Sequence, residues 1–142
     1  MNIEQRARVI VELGKKMGQD SAELQDVFRL AKHKNGWFSE QSSQTAFKNW
    51  SSALSEEKVN QWISGYLELE QKIDQKRIGL IMAGNIPIVG LHDLITVLIA
   101  GHKAVVKLSS DDTVLLKKVI DLLKSISTDL AAQIEVVDRL KD

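Results

Sequence analysis

The hydrophobic period of the chain changes at Arg77, and no other feature restricts the possible folds as much. Ile78-Gly79-Leu80-Ile81-Met82 is a short continuous apolar run, bounded by Lys76-Arg77 on one side and Gly84 on the other. A run of this length and continuity predicts a strand covered on both faces. Pro87 can open a helix at its first turn, the apolar positions through Ala100 are nearly all-round, and Gly101 can end that helix in the left-handed conformation. Ala104-Val105-Val106-Lys107-Leu108 then predicts a second buried strand. Asp111 or Asp112 can cap a further helix with Val114, Leu115, Val119, Leu122 and Leu123 inward, and Ile134-Glu135-Val136-Val137 reads as a third strand. Strands that alternate with helices imply an α/β fold with a parallel sheet.

Upstream of Arg77 the period is helical throughout. From Asn2 to about Gln19, Ile3, Ala7, Ile10, Leu13 and Met17 recur at spacings of three and four, with Asn2 and Gln5 placed as cap and partner. Asp20 and Glu23 repeat the capping spacing before Leu24, Val27, Phe28 and Ala31, and Asn35-Gly36 supplies a stop. Ser39 can cap a third helix (Ala46, Phe47, Trp50, Leu54) and Ser55 a fourth (Val59, Trp62, Ile63, Tyr66, Leu69, Ile73). Trp37, Trp50 and Trp62 read as core anchors between these helices. The expected organisation is a helical region over residues 1–75 and a partial α/β domain over residues 76–142.

Composition removes several function classes. Nineteen Lys plus Arg balance nineteen Asp plus Glu, so no net field draws the chain onto nucleic acid or an anionic membrane. The absence of Cys excludes a disulfide, a thiolate metal site and a cysteine nucleophile within these residues. Charges thread through the N-terminal apolar residues, unlike a secretory signal, and the apolar stretch from Ile86 to Ala100 is too short to span a bilayer. A cytoplasmic location is expected. His33, His92 and His102 are too dispersed to suggest a metal site.

In an open parallel sheet, ligands bind outside the carboxyl ends of the strands. The residues placed there are Ala83-Gly84-Asn85 after the first strand and Lys107-Leu108-Ser109-Ser110 after the second. Gly84 lets a ligand approach the backbone, Asn85 offers an amide donor, and Lys107 offers a cation beside hydroxyls. Such a set suits an anionic, oxygen-rich ligand, although loops of this kind also serve as plain structural turns.

The stretch IGLIMAGNIPIVGLHDLITVLIAGHKAVVKLSSDD resembles the first nucleotide-binding unit of the aldehyde dehydrogenase superfamily. Asn85-Ile86-Pro87, Ala100-Gly101-His102 and Val105-Val106-Lys107 sit at matching places and intervals. The chain resembles more closely the bacterial acyl-CoA reductases of the bioluminescence fatty-acid reductase type, through Gly84-Asn85, Gly90-Leu91-His92-Asp93 and the upstream Asn35-Gly36-Trp37-Phe38. The resemblance implies that Asn85 steadies the oxyanion formed when a cysteine thiolate attacks the acyl carbon, although Asn85 also reads as a helix cap. It implies that Lys107 reaches the adenosine ribose, where a solvent-facing lysine is the alternative. Ser110 falls where NAD-preferring members carry a Glu, so the implied cofactor is NADPH, with Ala83, Gly84 and Ser109 completing the binding loops. Ala83-Gly84 replaces the Pro-Trp common in aldehyde dehydrogenases and widens the site. His92 and Asp93 read as structural.

The resemblance further implies an N-terminal part of an NADPH-dependent enzyme that converts a fatty acyl-CoA or acyl-carrier thioester to an aldehyde. Its catalytic cysteine would lie elsewhere, so this part is expected to be inactive alone. The alternative is a non-catalytic helical interaction module with a small appended sheet. Three parallel strands with open edges are a poor end point for an independent domain, which favours the first reading and predicts that the exposed edge pairs with another chain, as in a homo-oligomer, or associates nonspecifically.

Overall fold

The computed structural model describes residues 1–71 and 74–141. Helix α1 (Ile3–Met17) opens with a reciprocal cap: Asn2 accepts from the Gln5 N–H at 2.8 Å, and Gln5 accepts from the Asn2 N–H at 2.9 Å. The pair satisfies two of the donors left without partners at a helix start. Helix α2 (Ala22–Lys34) is capped by Ser21, whose hydroxyl accepts from the Leu24 N–H. The expected Asp20 and Glu23 pairing is therefore corrected by one residue, and Asp20 accepts instead from the side-chain amide of Gln25. Helix α3 (Glu40–Ala53) follows the expected Ser39 cap.

Helix α4 (Glu56–Ser64) is shorter than its stripe suggests. Gly65 ends it, and a 3-10 turn over Leu67–Glu70 replaces the continuation; the expected inward Ile73 lies outside the described residues. Ser55 occupies the cap position of α4 without a side-chain hydrogen bond.

The sheet consists of β1 (Arg77–Ile81), β2 (Lys103–Lys107) and β3 (Ile134–Val136), all parallel, in the spatial order β1-β2-β3. Gly101, at φ 85°, makes the left-handed turn that leads from helix α5 (Leu91–Ile99) into β2. Helices α6 (Val114–Ile126) and α7 (Thr128–Ala131) carry the chain from β2 to β3. The expected helix opening at Pro87 is corrected: residues 85–90 form bends and turns, and α5 begins at Leu91.

The expectation of strands covered on both faces is also corrected. Crossovers of one hand that always step in the same direction, β1 to β2 to β3, lay their helices on one side of the sheet. Ala104 and Val106 are buried on that side, whereas Arg77, Gly79 and Ile81 are exposed on the other, Ile81 at 74%. The described cover on the open face is thin: Leu140 packs over Gly79, and Arg77 pairs with Glu135 at 2.9 Å.

Helix α1 is the hub of the covered side, touching α3, α4, α5 and α6. Its buried Arg6 donates to the Ile99 carbonyl at 2.9 Å and to the Met1 carbonyl at 2.5 Å, which ties the first helix to the end of α5. Phe28 of α2 meets Phe47 of α3 edge-on, with ring centroids 5.1 Å apart. At Gly14 a Cβ would sit 2.6 Å from Leu54 Cβ and 3.2 Å from the Leu54 carbonyl, so the crossing of α1 over the end of α3 depends on the missing side chain. Gly14→Ala should destabilise the fold by about 1–3 kcal/mol, since overpacking outweighs the gain in helix propensity. Chemical denaturation measures this, and a variant as stable as the parent would show that α1 has room to shift.

One tryptophan departs from its expected role. Trp50 and Trp62 are half-buried against the core, but Trp37 is 93% exposed. The turn that carries it buries Phe38 instead.

Candidate functional site

The two loops at the carboxyl ends of β1 and β2 are neighbours because the strands are paired, and the Met82 N–H extends the ladder by donating to the Lys107 carbonyl at 3.0 Å. Gly84 brings the loops into contact. A Cβ there would lie 2.2 Å from Ser109 Oγ and 3.1 Å from Asp111 Cβ, so the glycine serves loop packing rather than an open approach for a ligand. Ser109 Oγ accepts from the Asp111 N–H at 3.2 Å, which makes Ser109 part of the same fastening. The residues that face outward are Ala83, Asn85 and Ser110, with Lys107 half-buried at the end of the central strand. These sequence-predicted positions are therefore gathered at one rim of the sheet. Asn85 does not cap α5, whose cap position is Gly90.

A residue that the sequence marked only as a helix cap holds this rim together. Asp112 is 2% exposed, and its carboxylate accepts from the Ile88 N–H at 2.6 Å. Ile88 is completely buried at φ 50°, a left-handed backbone that costs a β-branched residue on the order of 1–3 kcal/mol and persists only where its surroundings enforce it. The Asp112 bond and the buried side chain supply that enforcement. Burial pushes the Asp112 carboxyl above its ordinary range, while the amides of Ile88, Leu115 and Leu116 pull it back. The second carboxylate oxygen, Oδ1, has no hydrogen-bond partner among the described residues. The expected cap of α6 by Asp111 or Asp112 is corrected: Thr113 holds the cap position without a side-chain hydrogen bond, and the Asp112 carboxylate turns to the neighbouring loop. Sequence carried no signal for that role, because Ile88 lies 24 positions away.

The α2–α3 turn is fastened to the same rim. Asn35 Nδ2 donates to the Asp111 carbonyl at 3.1 Å, Asn35 Oδ1 accepts from the Trp37 N–H at 3.1 Å, and the Phe38 N–H closes the turn onto the Asn35 carbonyl at 2.9 Å. Asn35 is an extended helix cap and Gly36 has no left-handed backbone, so the expected glycine stop is replaced by this side-chain fastening.

His92 and Asp93 are exposed in the first turn of α5, 3.6 Å apart, and the His92 ring lies 6.4 Å from that of Trp62. His92 lines a groove of about 280 Å³ together with Trp50, Leu54, Trp62 and Ile95. His102 Nδ1 accepts from the Lys76 N–H at the opposite end of the sheet. Among the described residues, no helix is long and apolar enough to cross a membrane.

Comparisons with protein-family models, with curated proteins and with solved structures find no match to this chain.

Proposed function

We propose that the chain is the cofactor-binding N-terminal part of an NADPH-dependent reductase that converts fatty acyl thioesters to aldehydes. The observation that carries the reading is the make-up of one rim. Of seven exposed large hydrophobic residues among those described, four lie there: Trp37, Ile81, Ile86 and Val136. Ile81 lies in register with Lys107, Ile86 follows Asn85, Val136 ends β3, and Trp37 sits on the turn bonded to Asp111 beside Ser110, all toward the carboxyl ends of parallel strands, where open α/β sheets take ligands. The order β1-β2-β3 is also that of the first half of a doubly wound nucleotide-binding sheet.

The donor set fits the proposed cofactor. Lys107 offers a point charge for a ribose hydroxyl or phosphate, and Ser110 is neutral, so no carboxylate at that position repels a 2'-phosphate. The cofactor supplies hydride. The amide of Asn85 would stabilise the oxyanion of the attacked acyl carbon, a contribution typically worth on the order of 100 to 1000-fold in rate. The attacking thiolate comes from outside these residues, which contain no cysteine, so the chain alone binds but does not turn over.

Calorimetric titration of the chain with NADPH tests this. Weak saturable binding is expected, with Lys107→Ala weakening it by roughly 10 to 100-fold. No saturable heat, or identical affinity in the variant, sinks the reading and leaves the open β1 edge, with Ile81 beside it, as the mark of a non-catalytic interaction module.

A further inference from the structure

We infer that Trp37 is a stacking platform for the flat base of a nucleotide seated on the rim formed by Lys107 and Ser110. The inference rests on the proposed cofactor site and adds to it a residue from a different part of the chain. Tryptophan is highly buried on average, so an indole at 93% exposure calls for a cause. The exposure is built in, because the turn is fastened at both ends: Phe38 is buried in the core, and the Asn35 side chain bonds to the Asp111 carbonyl. Asn35 Oδ1 also accepts the N–H of Trp37 itself, so the indole stands on backbone that is already ordered.

A side chain presented on ordered backbone loses less entropy on binding, which is how aromatic anchors gain affinity. The turn meets the rim at Asp111, the residue that follows Ser110, so the exposed indole stands two positions from a side chain bonded to the loop that carries Ser110. The rim around it combines a cation, hydroxyls and apolar side chains. That mixture matches a molecule with a flat ring at one end and hydroxyls or anions along the rest. Stacking on an indole face tolerates any base, and polar groups fix the sugar and phosphates.

The test titrates the full chain with NADPH by calorimetry, with tryptophan fluorescence read in parallel. Trp37→Phe should hold affinity within about threefold, because the ring face survives, and Trp37→Ala should weaken it by roughly 5 to 100-fold. The fluorescence quenched by the ligand should vanish in Trp37→Phe and persist in Trp50→Phe. Unchanged melting curves for the Trp37 variants are expected, since the indole packs on nothing, and they separate binding loss from unfolding. If NADPH binds, and Lys107→Ala weakens it, while Trp37→Ala does not, the platform is overturned and the cofactor site stands. If NADPH does not saturate the parent chain, both fall together.

Discussion

Phe47→Ala is expected to lower the unfolding free energy by about 3–5 kcal/mol, the largest effect of any single substitution considered. Phe47 is 1% exposed and meets Phe28 edge-on, so truncation removes the transfer energy of a whole ring and a favourable quadrupole contact and leaves a cavity. The cavity cannot close by local collapse, because α3 is already in close contact with α1 at Gly14. Urea denaturation with an unchanged slope would report the loss directly. A cost below about 1 kcal/mol would mean that α2 and α3 close the gap, contrary to their apparent fixity. Phe47→Leu should recover much of the difference, since volume rather than aromaticity carries most of the effect.

The second large effect lies at Asp112, and here charge and hydrogen bonding can be separated. Asp112→Ala removes the acceptor of the Ile88 N–H, which is buried and held in a left-handed backbone, and should cost roughly 2–3 kcal/mol. Asp112→Asn keeps an acceptor for Ile88 but removes the charge, so it should cost less than Ala. The pH dependence fixes the sign. Burial raises the folded pKa of Asp112 above its unfolded value, so folding favours the protonated form. Its contribution to stability is complete below the unfolded value of about 3.9 and is lost as pH rises through the higher folded value. Relative to Asp112→Asn, the parent chain should therefore be more stable at pH 3.5 than at pH 7. Groups common to both proteins cancel in the difference, which isolates position 112. Melting temperatures measured across that window would decide it, and a constant difference would show that Asp112 titrates as an exposed carboxyl does.

The parts of this fold that sequence made legible are those specified by neighbours in the chain. The Asn2–Gln5 box, the Ser39 cap, the left-handed Gly101 and the places of the three strands all follow from residues within a few positions of one another. What sequence misjudged depended on distant partners. The apolar run at Ile78–Met82 reads alike whether a strand is covered on one face or two, and only the shared side of the crossovers leaves Ile81 outside. Trp37 sits beside Phe38 with similar hydrophobicity, and the Asn35 contact to Asp111, 76 positions away, decides which of the two enters the core. The candidate site divides in the same way. The placement of Asn85, Lys107 and Ser110 at strand ends was readable from the apolar runs beside them, whereas the fastening by Gly84, Ser109 and Asp112 exists only once the two loops are together.

The bond from Arg6 to the Ile99 carbonyl bears on how this chain is born. Ribosomes extend a polypeptide at roughly 5–20 residues per second, N-terminus first. The carbonyl that receives the Arg6 guanidinium is 93 positions downstream, and α6, on which α1 also packs, begins at Val114. For several seconds the nascent first helix has α3 and α4 to lean on but not the elements that cover its other side. Its apolar stripe is then the surface a chaperone would meet, and synonymous codons that slow translation between Gly65 and Val114 would prolong that interval.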